Sequence, residues 1–331
     1  MPGGEEKVLK RRIKSIESTK KITRAMELIA ASRIVKAQAR VQAARPYSEQ
    51  ITEVIRNLAS AGGAEVDSPL LEPREQERKI AFVVLTADRG LCGAYNSSVI
   101  RAAERAMQRE ADQGHDHALV TVGKKAESYF RFRDFPIDAV FTAMSDQPTY
   151  EDAKAVAAAV AERFEAGEFD RVEVVYTEFL SAGSQRVVQT TLMPLDPKDI
   201  AAEAEDAAPR DGELQAAYEF EPEPAAILSR LLPRYVEARL FAAQLDAAAS
   251  EHAARQRAMK SATDNAEDLI TSLTRVMNRA RQDAITTEIM EVVGGAEALR
   301  KGKRLHAEDL LVDSIEGRRT DLFAKRVHDN N

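Results

Sequence analysis

Between Pro233 and Gly294 the chain contains neither glycine nor proline. About sixty consecutive residues free to be helical span roughly 90 Å at 1.5 Å per residue, far more than one globular domain needs from a helix. Apolar residues recur there in steps of three and four, the narrow stripe of a coiled coil. The seam reads as Leu240, Leu245, Ala249, Gln256, Met259, Leu269, Leu273, Val276, Ala280, Ile285, Ile289 and Val292. The helix is expected to begin near Ala225 or Pro233, and Gly294-Gly295 reads as its stop signal. Such a helix cannot bury its seam against a small domain. It needs a second long helix.

The N-terminal segment supplies that partner. From about Glu5 to Ser60 the apolar residues Leu9, Ile13, Ile16, Ile22, Met26, Ile29, Ile34, Ala37, Val41 and Ala44 again fall mostly in steps of three and four. Pro46 is expected to bend or interrupt this helix, and Ala61-Gly62-Gly63 to end it. The two ends of the chain therefore pair as an antiparallel coiled coil. Between them, short β-rich runs alternate with helical ones. Strands are expected near 79–86, 118–122, 137–142, 172–179 and 186–193, and helices near 97–112, 124–132 and 150–166. This alternation points to a largely parallel sheet covered by helices, with the last two strands as an antiparallel edge hairpin. The fold class is thus α/β plus a long coiled coil: an antiparallel two-helix coiled coil with an inserted Rossmann-like α/β domain. The division reads as an N-terminal coiled-coil helix (1–62), an α/β domain (63–224) with an acidic mobile loop (196–224), a C-terminal coiled-coil helix (225–295) and a charged extension (296–331).

Charge is uneven along the chain. From Glu5 to Arg40 there are eleven Lys or Arg against four acids, and from Asp196 to Pro224 ten acids against two bases. The net charge of -7 and a basic helix without interleaved aromatics argue against nucleic acid. Cys92 is the one cysteine, which excludes an internal disulfide or a cysteine-based zinc site and fits a reducing compartment. The N-terminus has no apolar signal core, and no run approaches the ~18–20 apolar residues of a membrane span.

Motifs for chemistry are thin. Gly123-Lys124-Lys125 sits between a strand and a helix, as a phosphate loop would. It lacks the earlier glycine, because residue 118 is Ala, and no Ser or Thr follows the lysine. Asp88-Arg89-Gly90-Leu91-Cys92-Gly93 closes the first strand, where α/β enzymes often carry sites. Asp88, Arg89, Gly90, Cys92 and Gly93 read as a tight structural turn, and Cys92 either as a buried inert thiol or as one activated by Arg89. His252 follows Glu251 without a second histidine four residues away, so no metalloprotease motif forms. No cofactor or metal is expected.

Three segments carry a family resemblance. They are Arg12 through Arg33, with Thr19-Lys20-Lys21-Ile22-Thr23-Arg24-Ala25-Met26 at its centre; Asp88 through Asn96; and Ala258 through Ala266, continued by Asn278-Arg279-Ala280-Arg281-Gln282, Ile285 to Ile289 and Glu291 to Ala296. They resemble the gamma subunit of F-type ATP synthases over about residues 5 to 299. The Glu27-Leu28-Ile29-Ala30-Ala31-Ser32-Arg33-Ile34 stretch and Tyr176-Thr177-Glu178-Phe179 are similar to the actinobacterial branch.

The resemblance implies a central stalk whose coiled coil enters a hexamer of alpha and beta subunits. Its base would meet the epsilon subunit and the c ring, peripheral on the cytoplasmic face of the plasma membrane. It implies no catalytic site in this chain, since ATP is made on beta. It implies contacts to beta through Met26, Arg281, Gln282, Thr286 and Glu288, and contacts to the c ring through Tyr218 and Glu221. Two other readings remain open: a static coiled-coil scaffold with an α/β head, and an α/β enzyme using the Asp88–Gly93 turn, which would need a ligand-sized pocket at that strand end. The chain also departs from the family by continuing from Ala298 to Asn331, with a short helix expected near Glu308 to Ile315. It lacks the plant-type pair of redox cysteines.

Overall fold

The computed structural model describes residues 3–60, 68–74, 76–195 and 223–324. Helix α1 runs Gly3–Ser60. It is followed by β1 (Lys79–Leu85), α2 (Tyr95–Asp112), β2 (Asp116–Val122), α3 (Lys124–Phe132), β3 (Ala139–Phe141), α4 (Tyr150–Glu165), β4 (Arg171–Phe179), β5 (Gln185–Met193) and α5 (Pro224–Ala324). The chain divides into two compact units, Lys21–Thr263 and Met1–Lys20 with Asp264–Asn331.

In the larger unit a five-stranded sheet has the order β3-β2-β1-β4-β5. The first three neighbour pairs are parallel, with Val83 opposite Val120 on one side and Val174 on the other. β4 and β5 pair antiparallel at the edge. β1 is buried on both faces, which is why Ile80 to Leu85 is an unbroken apolar run rather than an alternating one. Ile80, Phe82 and Val84 pack with Val99, Ala103 and Met107 of α2 and Phe130 of α3. Ala81, Val83 and Leu85 face the other way, against Ile55 and Leu58 of α1, Val160 and Phe164 of α4, and Leu232, Tyr235 and Leu240 of α5. The result is a three-layer, Rossmann-like α/β body in which segments of both long helices form part of one layer.

The helix pairing in this unit is antiparallel. Thr23 Oγ1 meets Thr263 Oγ1 at 2.8 Å. Farther along, Arg33 to Arg40 face Leu245 to His252 across one cavity, and Ser48 and Thr52 share another with Tyr235 and Arg239. In α1 the protected positions follow strict three-four steps: Leu9, Ile13, Ile16, Lys20, Thr23, Glu27, Ala30, Ile34 and Ala37 are all buried or half-buried. In α5 the row runs Leu245, Ala249, His252, Gln256, Met259, Thr263, Ala266, Ile270, Leu273, Met277 and Ala280. Within the smaller unit Lys20 Nζ lies 3.1 Å from Glu267 Oε2, consistent with the same antiparallel heptads.

The observed rows correct the expected seam in places. Ile22 and Ile29 are 58% and 56% exposed, and their neighbours Thr23 and Ala30 take the inward positions. Leu269 and Val276 likewise give way to Ile270 and Met277. Adjacent apolar residues made both registers readable, and the heptad stepping from the buried threonine pair selects one. Gly294-Gly295 does not stop α5, which continues to Ala324 and so includes the segment expected as a separate short helix. Two glycines weaken a helix by about 1 kcal/mol each relative to alanine but do not by themselves terminate it. Pro46, expected to bend or interrupt α1, lies inside it without interrupting it. No helix among the described residues is long and apolar enough to cross a membrane.

Candidate functional sites

The turn after β1 is built from backbone demands. Asp88 Oδ1 accepts from the Lys124 N–H at 3.1 Å and Oδ2 from the Ser145 N–H at 3.2 Å, while the Asp88 N–H donates to Ser145 Oγ at 2.9 Å. Burial opposes ionisation of this carboxyl, but those hydrogen bonds hold it below the usual range. One carboxylate thus ties the C-terminal ends of β1 and β2 to the loop after β3. Asn96 closes the turn from the other side, accepting from the Ala87 N–H at 2.8 Å and donating to Cys92 Sγ at 3.1 Å. Cys92 is buried and its thiol is pushed up by that burial, the surroundings of an inert thiol.

The strand end is occupied by protein. Tyr95 donates its hydroxyl to the Ala247 carbonyl at 3.1 Å. The cavity left among Leu85, Tyr95, Ser145 and Gln244 measures about 10 Å3, room for no more than a water molecule. The enzyme reading of this turn required a ligand-sized pocket here, and that pocket is filled by α5. Gly123 is not part of a phosphate loop. Its φ is 99°, and a Cβ there would lie 2.1 Å from the Thr86 carbonyl oxygen, so glycine serves a close approach of β1 and β2.

Behind the turn lies an ionic knot that sequence reading missed. Arg255 Nη2 donates to Glu251 Oε1 at 2.7 Å and reaches the Gly90 carbonyl at 3.4 Å. His252 Nε2 faces the Asp146 carbonyl at 3.2 Å, and Arg33 from α1 clasps the Asp146 carboxylate. Burial pushes Glu251 up to about 7 despite the Arg255 guanidinium, and pushes His252 down. Asp146, Glu251 and His252 place ligand-type atoms within 4.8 Å of one another. Both carboxylates are already engaged by guanidinium groups, so the trio works as a salt-bridged joint of α1, α5 and the loop before α4. Its partners are far apart in sequence. The one signal available was His252 at a seam position where an apolar residue is the norm.

The residues expected to meet other subunits stand apart from this knot. Met26 is half-buried on α1 in the larger unit. Arg281, Gln282, Thr286 and Glu288 are exposed on α5 in the smaller one, where Thr286 Oγ1 donates to the Gln282 carbonyl at 3.0 Å. Tyr218 and Glu221 lie outside the described residues. Past Ala284, α5 leaves Ile285, Ile289, Met290 and Val292 exposed, the last at 72%.

The family model for ATP synthase matches residues 5–299. An ATP synthase gamma chain from Parafrankia sp. is 51% identical over 303 residues, covering 90% of this chain and 99% of the relative. The chain belongs to the ATP synthase gamma chain family. The gamma chain of Frankia casuarinae is 52% identical with the same coverage, and that of Mycolicibacterium smegmatis 46% identical over 89% of this chain and 98% of the relative. Among solved structures, a chain of the central stalk and c-ring of Tetrahymena thermophila mitochondrial ATP synthase matches with a TM-score of 0.55 and 25% identity, covering 73% of this chain and 99% of that one. A chain of the Euglena gracilis mitochondrial ATP synthase matches with a TM-score of 0.61 at 18% identity, over 91% and 96% of the two chains. That second likeness speaks for the fold.

Proposed function

We propose that this chain is the central rotor stalk of an F-type ATP synthase, coupling proton-driven rotation of the c ring to ATP synthesis on the alpha/beta hexamer. The observation that carries the reading is family membership along nearly the whole chain. It is joined by a long C-terminal helix that presents bare apolar side chains past Ala284. The gamma chain supplies no catalytic site in this account. It sits on the cytoplasmic face of the bacterial plasma membrane, held there through the complex, with alpha, beta, epsilon and the c ring as partners.

Exposed polar side chains at Arg281, Gln282, Thr286 and Glu288 suit contacts that form and break as one surface passes successive beta subunits, because each contact biases a conformation only by its differential free energy. Met26 contributes from α1, and Tyr218 and Glu221 are assigned to the c ring. The Asp88–Gly93 turn and the knot behind it fasten the α/β body to both long helices, so that torque on one reaches the other. Arg281→Ala with Gln282→Ala should lower ATP turnover roughly two- to tenfold while assembly is preserved. Unchanged turnover in an intact complex would remove those residues from the coupling surface. Gentle purification through a tag on this chain at native expression should recover one copy with three alpha, three beta and a c ring. Recovery as a homodimer, free of alpha and beta, would instead favour the static scaffold.

A further inference from the structure

Arg33, Lys36 and Arg40 stand three and four residues apart on α1, so their side chains leave the same face of the helix. They line a cavity of about 130 Å3 in the larger unit, closed opposite by Asp146, Gln147 and His252. The cations are arranged rather than scattered. Arg33 is held by the Asp146 carboxylate, and Arg40 Nη2 donates to Gln147 Oε1 at 3.0 Å. Lys36, between them, has no hydrogen bond or ion pair among the described residues. Three cations against one carboxylate leave a formal charge of +2 on the wall (3 − 1). The floor is apolar, formed by Ala37, Leu245 and Ala248.

We propose that this cavity binds a phosphoryl oxyanion, either inorganic phosphate or the terminal phosphate of a nucleotide. The volume has room for a cluster of several water molecules, since ~10–15 Å3 of such space suffices for one. A tetrahedral oxyanion can take the place of such a cluster. A dianion balances the wall charge. Arg40 presents a fork of donors suited to phosphate oxygens, and Lys36 a point charge. Asp146 does not repel the ligand strongly because Arg33 neutralises it, and that pair fixes the mouth of the site.

The test is a calorimetric titration of the full chain at low salt, with inorganic phosphate in one arm and ADP in the other. It compares the native sequence with Lys36→Arg and with Lys36→Glu/Arg40→Glu. Lys36 and Arg40 are both exposed, and a circular dichroism spectrum verifies that each variant is folded; Lys36→Gln/Arg40→Gln replaces any that is not. One site is expected, with affinity reduced at least about tenfold by the charge reversal and changed less than about threefold by Lys36→Arg. Tighter binding of ADP assigns the nucleotide as the source, and equal or tighter binding of phosphate assigns the free ion. Absence of binding in both arms overturns the proposal, as does binding that the charge reversal leaves intact.

Discussion

Gly123 shows how narrowly a single residue can be specified here. With φ at 99° and the Thr86 carbonyl 2.1 Å from where a Cβ would stand, Gly123→Ala must move backbone in two strands. We expect a loss of ~3 kcal/mol or more in urea unfolding. Asp246 is informative through its proton. Burial, with the Glu178 carboxylate adding to it, raises its carboxyl from 3.8 to about 7. The folded chain therefore holds this proton more tightly than the unfolded chain does. The stability it contributes is complete below about pH 4 and is lost as pH rises towards about pH 7. Asp246→Asn should flatten that slope and stabilise the chain above pH 7 by on the order of 1 kcal/mol, read from melting curves across pH. Glu251, raised to about 7 by burial against the pull of the Arg255 guanidinium, adds to the same slope.

At the scale of elements, the strands and short helices were legible because each local signal agreed with the fold. The apolar run at 80–85 and the strand–helix alternation that follows it point one way. The long helices were legible in existence and pairing but not in phase. Where two apolar neighbours compete, as at Leu269 and Ile270, periodicity alone admits both registers, and only the partner helix decides. Thr23 and Glu27 hold buried seam positions next to the apolar Ile22 and Met26, which carry the stronger hydrophobic signal. The Thr23–Thr263 pair resembles the polar contacts that fix register in coiled coils at some cost in stability. A double-mutant cycle on the two threonines, each changed to Val, should give a coupling of about 1 kcal/mol. The corrected seam makes a second prediction: Leu273→Ala should cost about 1 kcal/mol in thermal unfolding, and Leu269→Ala less than about 0.5 kcal/mol. Equal losses would mean the seam is misplaced. The knot of Arg33, Asp146, Glu251, His252 and Arg255 was not legible, because nothing in sequence brings α1, the loop before α4 and α5 together until the helices are paired.

For the whole molecule, what matters is how a chain whose β1 strand end is filled with protein does work. Its α/β body closes that end with Tyr95 and α5, and past Ala284 α5 carries exposed apolar and polar residues. The family explains that arrangement as a stalk, and the motion itself is open to direct observation. A polarised fluorophore fixed to an exposed position of this chain, within a complex immobilised through its alpha and beta subunits, reports orientation during ATP turnover. Stepwise rotation in one direction, stopping when ATP is withdrawn, is the predicted result. A probe that holds a fixed angle to alpha and beta while ATP is consumed would contradict the rotor account.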